Sequence, residues 1–157
     1  MKLARDVMST RVWTASEDTD LQTLLKMLKE LEISGAPVLD RHGRPVGVVS
    51  LYDLANLGGR EFDPDAPSQY WGSHAQPRGF HQLGEGRGHL KVADIMTQAV
   101  HSVEVTTTID EVCDFFIRGQ IHRVLVTRQG ELVGIITATD LLQELKHLLV
   151  ASTPVRS

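Results

Sequence analysis

The sequence predicts an α/β fold of the α+β type, built from two β-α-β-β-α repeats that pack together with pseudo-twofold symmetry. The first observation is an internal repeat. The second is that each copy shows the same order of apolar patterns. Two copies are too few for a solenoid, so we expect them to pack against each other. The predicted divisions are repeat 1 at 4–57, an insert at 58–90, repeat 2 at 91–149 and a tail at 150–157.

The repeat rests on eleven identities. A shift of 88 positions aligns the first part of each copy, and a shift of 87 aligns the rest, because one residue is missing from the second turn. Most other aligned pairs exchange one apolar residue for another. The identical pairs are Asp6/Asp94, Met8/Met96, Val12/Val100, Thr19/Thr107, Ile33/Ile121, Val38/Val126, Gly43/Gly130, Val46/Val133, Gly47/Gly134, Asp53/Asp140 and Leu54/Leu141.

The first repeat contains the five elements in order. A short apolar run at 12–14 predicts the opening strand, and Thr19 with Gln22 predicts a capping box before a helix. Leucines at helical spacing form the apolar face of that helix: Leu21, Leu24, Leu25, Leu28 and Leu31. Strands at 36–39 and 46–50 then flank a polar turn, and a helix closes the unit.

The second repeat follows the same order. Its opening strand is predicted at 100–103, and Thr107 with Asp110 marks the start of its helix. Strands at 124–127 and 132–137 precede the closing helix. A strand–helix–strand crossover followed by a hairpin predicts a small mixed sheet with helices on one face.

The insert between the repeats has a different composition. Residues 58–90 hold seven of the thirteen glycines, three of the six prolines and half of the aromatic residues, namely Phe62, Tyr70, Trp71 and Phe80. Glycine and proline at that density argue against long regular elements, whereas the aromatics argue against a purely solvated linker. We therefore predict a long loop that docks partly on the body, with a core that the repeats form without it.

Composition excludes several classes of protein. The 157 residues are 41% hydrophobic and 23% charged, with a net charge of −4, which is unlike a nucleic-acid binder with a basic face. One cysteine cannot form an intramolecular disulfide, and no apolar run is long enough to span a bilayer. The first residues carry early charges rather than an apolar core, so we expect no signal peptide and a cytoplasmic location.

Two pairs of segments carry a family resemblance. The copies open with Asp6-Val7-Met8-Ser9 and Asp94-Ile95-Met96-Thr97, and they close with Val46-Gly-Val-Val-Ser-Leu-Tyr-Asp-Leu54 and Val133-Gly-Ile-Ile-Thr-Ala-Thr-Asp-Leu141. Together these segments resemble the tandem CBS domain pair, or Bateman module. The resemblance implies a stand-alone regulatory module that binds an adenosine-containing ligand, such as AMP, ADP, ATP or S-adenosylmethionine, between the copies.

The Ser/Thr-x-x-Asp segments have two interpretations that do not exclude each other. Ser50 with Asp53, and Thr137 with Asp140, have the spacing of a helix capping box. The same groups suit a nucleotide, since a carboxylate can accept hydrogen bonds from ribose hydroxyls and a hydroxyl at a helix start can donate to phosphate. The resemblance implies that both aspartates bind ribose, and Ser50 and Thr137 are candidates for phosphate binding.

His122 and Arg123 are the candidate phosphate-binding pair of the second copy. The guanidinium of arginine can donate two hydrogen bonds to phosphate oxygens, and histidine can add a donor. The alternative is a pair of exposed residues at a strand edge. The family places a basic pair here, whereas the first copy has Ser34 and Gly35, so we expect asymmetric phosphate recognition.

Apolar strand residues are weaker candidates for walls around an adenine ring, because core packing explains most such residues. The candidates are Val12, Ala36, Pro37, Val100 and Val124. The histidines of the insert lack the spacing of a zinc site, so we expect no metal. Cys113 lies on the apolar face of a helix and is interpreted as a small hydrophobic residue.

The leading hypothesis is therefore a non-enzymatic module that binds an adenine nucleotide and signals occupancy to an unknown regulated protein. We expect no catalytic residues, no catalytic cofactor, no membrane and no direct nucleic-acid partner. A homodimer is expected because the last helix carries more leucines than a small fold readily buries. The main alternative is a structural dimerisation module without ligand binding. An enzyme acting through the insert would need a catalytic constellation that the sequence does not supply.

Overall fold

The computed structural model describes residues 1–57, 70–71 and 89–152. Most of the insert, including Phe62, Phe80 and two of its histidines, lies outside these residues. The first repeat contains the helices and strands α1 (Ala4–Val7), β1 (Ala15–Ser16), α2 (Leu21–Glu30), β2 (Gly35–Leu39), β3 (Pro45–Ser50) and α3 (Leu51–Asn56). The second contains a 3₁₀ turn (Val92–Asp94), β4 (Ser102–Glu104), α4 (Ile109–Gly119), β5 (Arg123–Arg128), β6 (Glu131–Thr137) and α5 (Ala138–Ala151).

Each repeat builds the mixed three-stranded sheet that the crossover predicts. The strand orders are β1-β2-β3 and β4-β5-β6, in which the first pair is parallel and the second antiparallel. Both hairpins shift register at equivalent positions, after Val38 and after Val126. The order β-α-β-β-α and the α+β class are confirmed, with α1 and the 3₁₀ turn as additional elements.

The opening strands lie later in the chain than the apolar runs suggested. β1 pairs Ala15 with Val38 and Ser16 with Leu39, so the run at 12–14 precedes the strand. β4 begins at Ser102 rather than at Val100. Two apolar residues of the first run, Val12 and Trp13, line a cleft between the repeats instead of forming the strand.

The helix caps also differ from the predicted ones by one residue. Asp20, not Thr19, caps α2 by accepting the backbone N–H of Thr23 at 2.9 Å. The hydroxyl of Thr19 instead accepts a hydrogen bond from the backbone N–H of Ser16, three residues earlier in the chain. At α4 the capping box joins Thr108 to Glu111 rather than Thr107 to Asp110.

The opening segment of each repeat packs on the sheet of the other repeat. Ser9 and Ile135 exchange two backbone hydrogen bonds of 2.9 Å, and Val48 and Thr97 exchange an equivalent pair. A side chain at Gly134 would meet the Sδ of Met8 at 2.6 Å. The reciprocal exchange joins the two repeats through two isolated backbone β-bridges as well as through side chains.

The two hydrophobic clusters are shared in the same way. The first combines the helix and strands of repeat 1 with Val92, Ile95 and Met96 from the opening of repeat 2. The second combines repeat 2 with Ala4 and Val48. It also includes Tyr70 and Trp71, each only 3% exposed, which confirms for these two residues that the insert docks on the body. They belong to the core, so the repeats do not complete it without the insert.

No helix in the described parts of the chain is both long and apolar enough to cross a bilayer.

We predict that Gly47→Ala and Gly134→Ala will each lower the free energy of unfolding by roughly 1–3 kcal/mol. A Cβ at Gly47 would lie 2.7 Å from the Sδ of Met96 and 2.9 Å from the carbonyl oxygen of Thr97, so a backbone segment would have to move. Urea denaturation measures the loss. Gly119→Ala is the matched control, since its Cβ would meet only Ile121 at ordinary contact distances, 3.6 Å or more. Equal stability of all three variants would contradict the close packing.

Candidate functional site

A cleft of about 710 Å³ lies where the two repeats meet. We call it the first cleft. Its walls come mainly from the segment before β1, the end of α2 and the start of β2, with contributions from both repeats and from the insert. The lining residues are Arg11, Val12, Trp13, Leu28, Lys29, Leu31, Glu32, Ile33, Ser34, Gly35, Leu51, Tyr70, Arg123 and Ile135.

Asp53 lies in α3, two residues beyond the cleft residue Leu51. Its Oδ2 accepts the backbone N–H of Ser50 at 2.6 Å and the hydroxyl of Ser50 at 2.9 Å, so the predicted capping box is present. The second carboxylate oxygen, Oδ1, takes no part in the capping box. Burial raises the pKa of Asp53 to about 6, while the two hydrogen bonds from Ser50 oppose that rise.

The equivalent pair in repeat 2 has the same geometry. Oδ2 of Asp140 accepts from the backbone N–H and the hydroxyl of Thr137, both at 2.7 Å. Asp140 is half-buried, whereas Asp53 is only 8% exposed. The two copies therefore share their local hydrogen bonds and differ in burial.

Arg123 reaches the first cleft from the second repeat. It starts β5, is half-buried, and its guanidinium carbon lies 4.6 Å from the centroid of the Tyr70 ring, in a cation–π arrangement. Burial raises the pKa of the Tyr70 phenol, and the charge of Arg123 and a hydrogen bond with it oppose that rise. His122 is exposed, and its backbone N–H donates to the carbonyl oxygen of Trp71 at 2.7 Å.

The comparison with known families explains the paired architecture. The sequence model of the CBS domain matches residues 4–59 and 92–147. The chain belongs to the CBS domain family. The two matches coincide with the two observed sheets and their helices, so the protein is a tandem CBS pair.

Two curated relatives show how far the likeness extends. An uncharacterised protein of Methanocaldococcus jannaschii is 28% identical over 153 residues, which cover 91% of this chain and 90% of that protein. The chloroplastic CBS domain-containing protein CBSX1 of Arabidopsis thaliana is 33% identical over 128 residues. That match covers 76% of this chain and 52% of CBSX1.

Solved CBS structures share the fold. The crystal structure of CBSX2 in complex with AMP superposes with a TM-score of 0.70 at 22% identity, covering 94% of this chain and 98% of that one.

The candidate adenine residues occupy different environments in the two CBS repeats. Val12 lines the first cleft, whereas Ala36 and Pro37 are buried in β2 next to it. In repeat 2, Val100 is half-buried and Val124 is fully buried in the second hydrophobic cluster. Of these five candidates, the structure places only Val12 on the wall of the first cleft.

Sequence analysis missed four residues that line the first cleft: Arg11, Trp13, Lys29 and Tyr70. Arg11 and Lys29 carry no motif and look like ordinary surface cations, and Trp13 looked like part of the opening strand. Tyr70 did have a signal, as an aromatic residue in a segment otherwise rich in glycine and proline. Together with Arg123, three cations line the cleft, and Glu32 is the one carboxylate among the described residues of its wall.

No metal centre is evident in the described ranges 1–57, 70–71 and 89–152, where no three histidine, cysteine or acidic side chains form a group that could hold a metal. Cys113 is half-buried in α4, and burial with the nearby Asp110 and Asp114 raises the pKa of its thiol. A raised pKa keeps the thiol protonated and weakly nucleophilic.

The buried carboxyl of Asp53 predicts an unusual pH dependence of stability. The folded state keeps a proton on Asp53 up to about pH 6, whereas the unfolded state releases it near 3.8. The folded state binds more protons in this window, so Asp53 contributes stability that is lost as pH rises from about 4 to 7. The free energy of unfolding of the parent minus that of Asp53→Asn should therefore fall with pH, by up to about 3 kcal/mol.

Asp20→Asn is the matched control for this measurement by urea denaturation. Hydrogen bonds from the side chain and backbone of Thr23 lower the pKa of Asp20, so its stabilising effect is lost as pH falls and the corresponding difference should rise with pH. A difference for Asp53 that stays flat between pH 4 and 7 would contradict the raised pKa.

Proposed function

We propose that this CBS pair is a non-enzymatic regulatory module that binds an adenine nucleotide in the first cleft and signals its occupancy to a partner protein. The observation that carries the proposal is the position of Arg123, a residue of repeat 2 that lines a cleft built mostly from repeat 1. A ligand in this cleft would touch both repeats at once. Its binding would therefore favour one relative arrangement of the repeats over others.

The charge of the first cleft supports an anionic ligand. The chain has a net charge of −4, yet Arg11, Lys29 and Arg123 outnumber the single carboxylate, Glu32, along the described wall. Phosphate oxygens are the natural partners of such a cluster, and the planar guanidinium of Arg123 can donate two parallel hydrogen bonds to them. The cation–π contact with Tyr70 holds that guanidinium in place.

The ribose and the base have candidate partners on the repeat 1 side. In the proposed complex, ribose hydroxyls donate to Oδ1 of Asp53, the oxygen that the capping box does not use. Asp53 is not itself on the wall of the first cleft but lies in α3 behind the lining residue Leu51, whereas an adenine ring would pack against Val12 and Trp13 on the wall. A volume of about 710 Å³ falls within the range of roughly 300–1,000 Å³ that is usual for small-molecule sites.

The relatives support the class of ligand. A CBS structure with the same fold, that of CBSX2, holds AMP. At 22% identity this likeness concerns the fold, so the choice among AMP, ADP and ATP depends on the residues of this chain.

Replacing Arg123 should separate phosphate recognition from nucleoside recognition. We expect Arg123→Ala to lower the affinity for AMP and ATP about ten- to a hundredfold in calorimetry, because a charged hydrogen bond contributes roughly 1.5–3 kcal/mol. The affinity for adenosine, which has no phosphate, should fall much less. Asp53→Asn should lower the affinities for adenosine and AMP alike, since both carry the ribose diol.

Arg128→Ala is the matched control, because it removes the same charge from the exposed end of the same strand. It should bind all three ligands as the parent does. If Arg123→Ala also behaves as the parent, the phosphate assignment is wrong. If the parent binds no adenine nucleotide and no S-adenosylmethionine at millimolar concentration, the chain is better explained as a structural dimerisation module.

We also propose that the module is a homodimer that uses α5. This helix exposes apolar side chains along one side, with Leu142, Leu145, Leu148 and Leu149 all 50–64% exposed. Exposed apolar side chains grouped along one helix are typical of an interaction surface. A twofold interface would let each copy bury this side against its equivalent.

Light scattering at micromolar concentration should give twice the mass of the chain. The double variant Leu145→Glu with Leu148→Glu should give the mass of one chain, since four like charges would face each other in the dimer. Gln143→Glu adds a charge on the opposite side of α5 and should leave the dimer intact. A parent that scatters as a monomer would contradict the proposal.

A further inference from the structure

The repeat relation predicts the position of a second cleft, on the side of repeat 2. Four residues of the first cleft wall, Leu28, Trp13, Ile33 and Ser34, have the equivalents Phe116, His101, Ile121 and His122. Asp140 and Thr137 are the equivalents of Asp53 and Ser50, and they make the same capping hydrogen bonds. By symmetry, repeat 2 should therefore offer a nucleotide cleft of its own.

The indole of Trp71 lies among these equivalent residues. Its ring centroid is 5.1 Å from that of His101, at an interplanar angle of 84°. Its carbonyl oxygen accepts the backbone N–H of His122 at 2.7 Å. Trp71 is 3% exposed and belongs to the same hydrophobic cluster as Phe116 and Ile121.

Tyr70 holds Trp71 in this position from the side of the first cleft. The two rings make an edge-to-face contact with centroids 5.0 Å apart. The ring of Tyr70 lies so close to Gly35 that a Cβ there would come within 2.6 Å of Tyr70 Cδ2. The same ring also makes the cation–π contact with Arg123. One dipeptide of the insert therefore lines the first cleft with Tyr70 and fills the position of the second with Trp71.

The hydrogen bonding of Trp71 also distinguishes it from an ordinary core residue. Its Nε1 is the one side-chain nitrogen or oxygen in the described structure that is buried without a hydrogen-bond partner. Buried polar groups in a core that is optimised only for stability are normally paired. A planar aromatic ring set among the equivalents of a ligand cleft takes the place that a base would occupy there.

We propose that Trp71 is a built-in occupant of the second cleft, which keeps nucleotide out of repeat 2 and limits each chain to one nucleotide. The inference rests on the proposed function for the first cleft, but the position of Trp71 is independent of whether that cleft binds nucleotide. The asymmetry of the module then lies in the insert as well as in the phosphate-binding residues.

Calorimetry with adenosine and AMP tests the proposal. The parent should bind one equivalent per chain, and Trp71→Ala should bind two. The added site should disappear in Trp71→Ala with Asp140→Asn, while Asp53→Asn should remove the first site. Ile136→Ala is the control for a loosened core, because Ile136 is a fully buried residue of the same cluster. Its equivalent in repeat 1, Val49, does not line the first cleft, so this variant should still bind one equivalent.

The outcomes separate the two proposals. Suppose that the parent binds no nucleotide and that Trp71→Ala gains one site, which Asp140→Asn removes. This result would contradict the proposed function of the first cleft and support the proposal that Trp71 occupies the second. A parent that binds two equivalents, or a folded Trp71→Ala variant without a new site, would overturn the occupant.

A fluorescence measurement covers the case in which Trp71→Ala does not fold. In Trp13→Phe, Trp71 is the only tryptophan, and its emission should be blue-shifted and protected from acrylamide. Protection should persist at saturating adenosine. Adenosine that exposes Trp71 to acrylamide would show that the indole does not keep the second cleft closed.

Discussion

The reciprocal exchange of opening segments is the constraint on which the rest of the structure depends. Ser9 pairs with Ile135 and Thr97 pairs with Val48, so each sheet is extended by a piece of the other repeat. The exchange needs a glycine at each crossing, because Met96 and the backbone behind it leave no room for a Cβ at Gly47. Since each hydrophobic cluster includes residues of the other copy, neither repeat buries its core alone.

The symmetry that the exchange creates is broken by the docked dipeptide. Gly35 and Arg123 are equivalent positions in the two repeats. Gly35 must lack a side chain because the ring of Tyr70 lies against it, whereas Arg123 extends its guanidinium over that ring. The divergence between the copies at this position therefore has a steric reason as well as a chemical one. Burying the two aromatics also ties the insert to both repeats, with Trp71 bonded to His122 through its backbone.

The electrostatics of the first cleft follow from where charges are buried. Asp53 lies in a poorly solvated place, which raises its pKa, and only Ser50 offsets that effect. The cations that line the cleft, Arg11, Lys29 and Arg123, are more exposed than Asp53. A ribose that donates to the carboxylate would favour its charged form, and a phosphate would neutralise the cations. A chain of net negative charge thus holds a local site suited to an anion with a sugar.

The sequence by itself determined the repeat, the order β-α-β-β-α, and the capping pairs of Ser50 with Asp53 and Thr137 with Asp140. These features depend on interactions between residues a few positions apart, and such interactions leave a period or a fixed spacing in the sequence. The shift of β1 away from Val12, the exchange of opening segments, the cations Arg11 and Lys29 at the cleft, and the place of Trp71 were decided by the tertiary structure. Each depends on contacts between residues far apart in the chain, and such contacts have no local spacing by which they could be recognised.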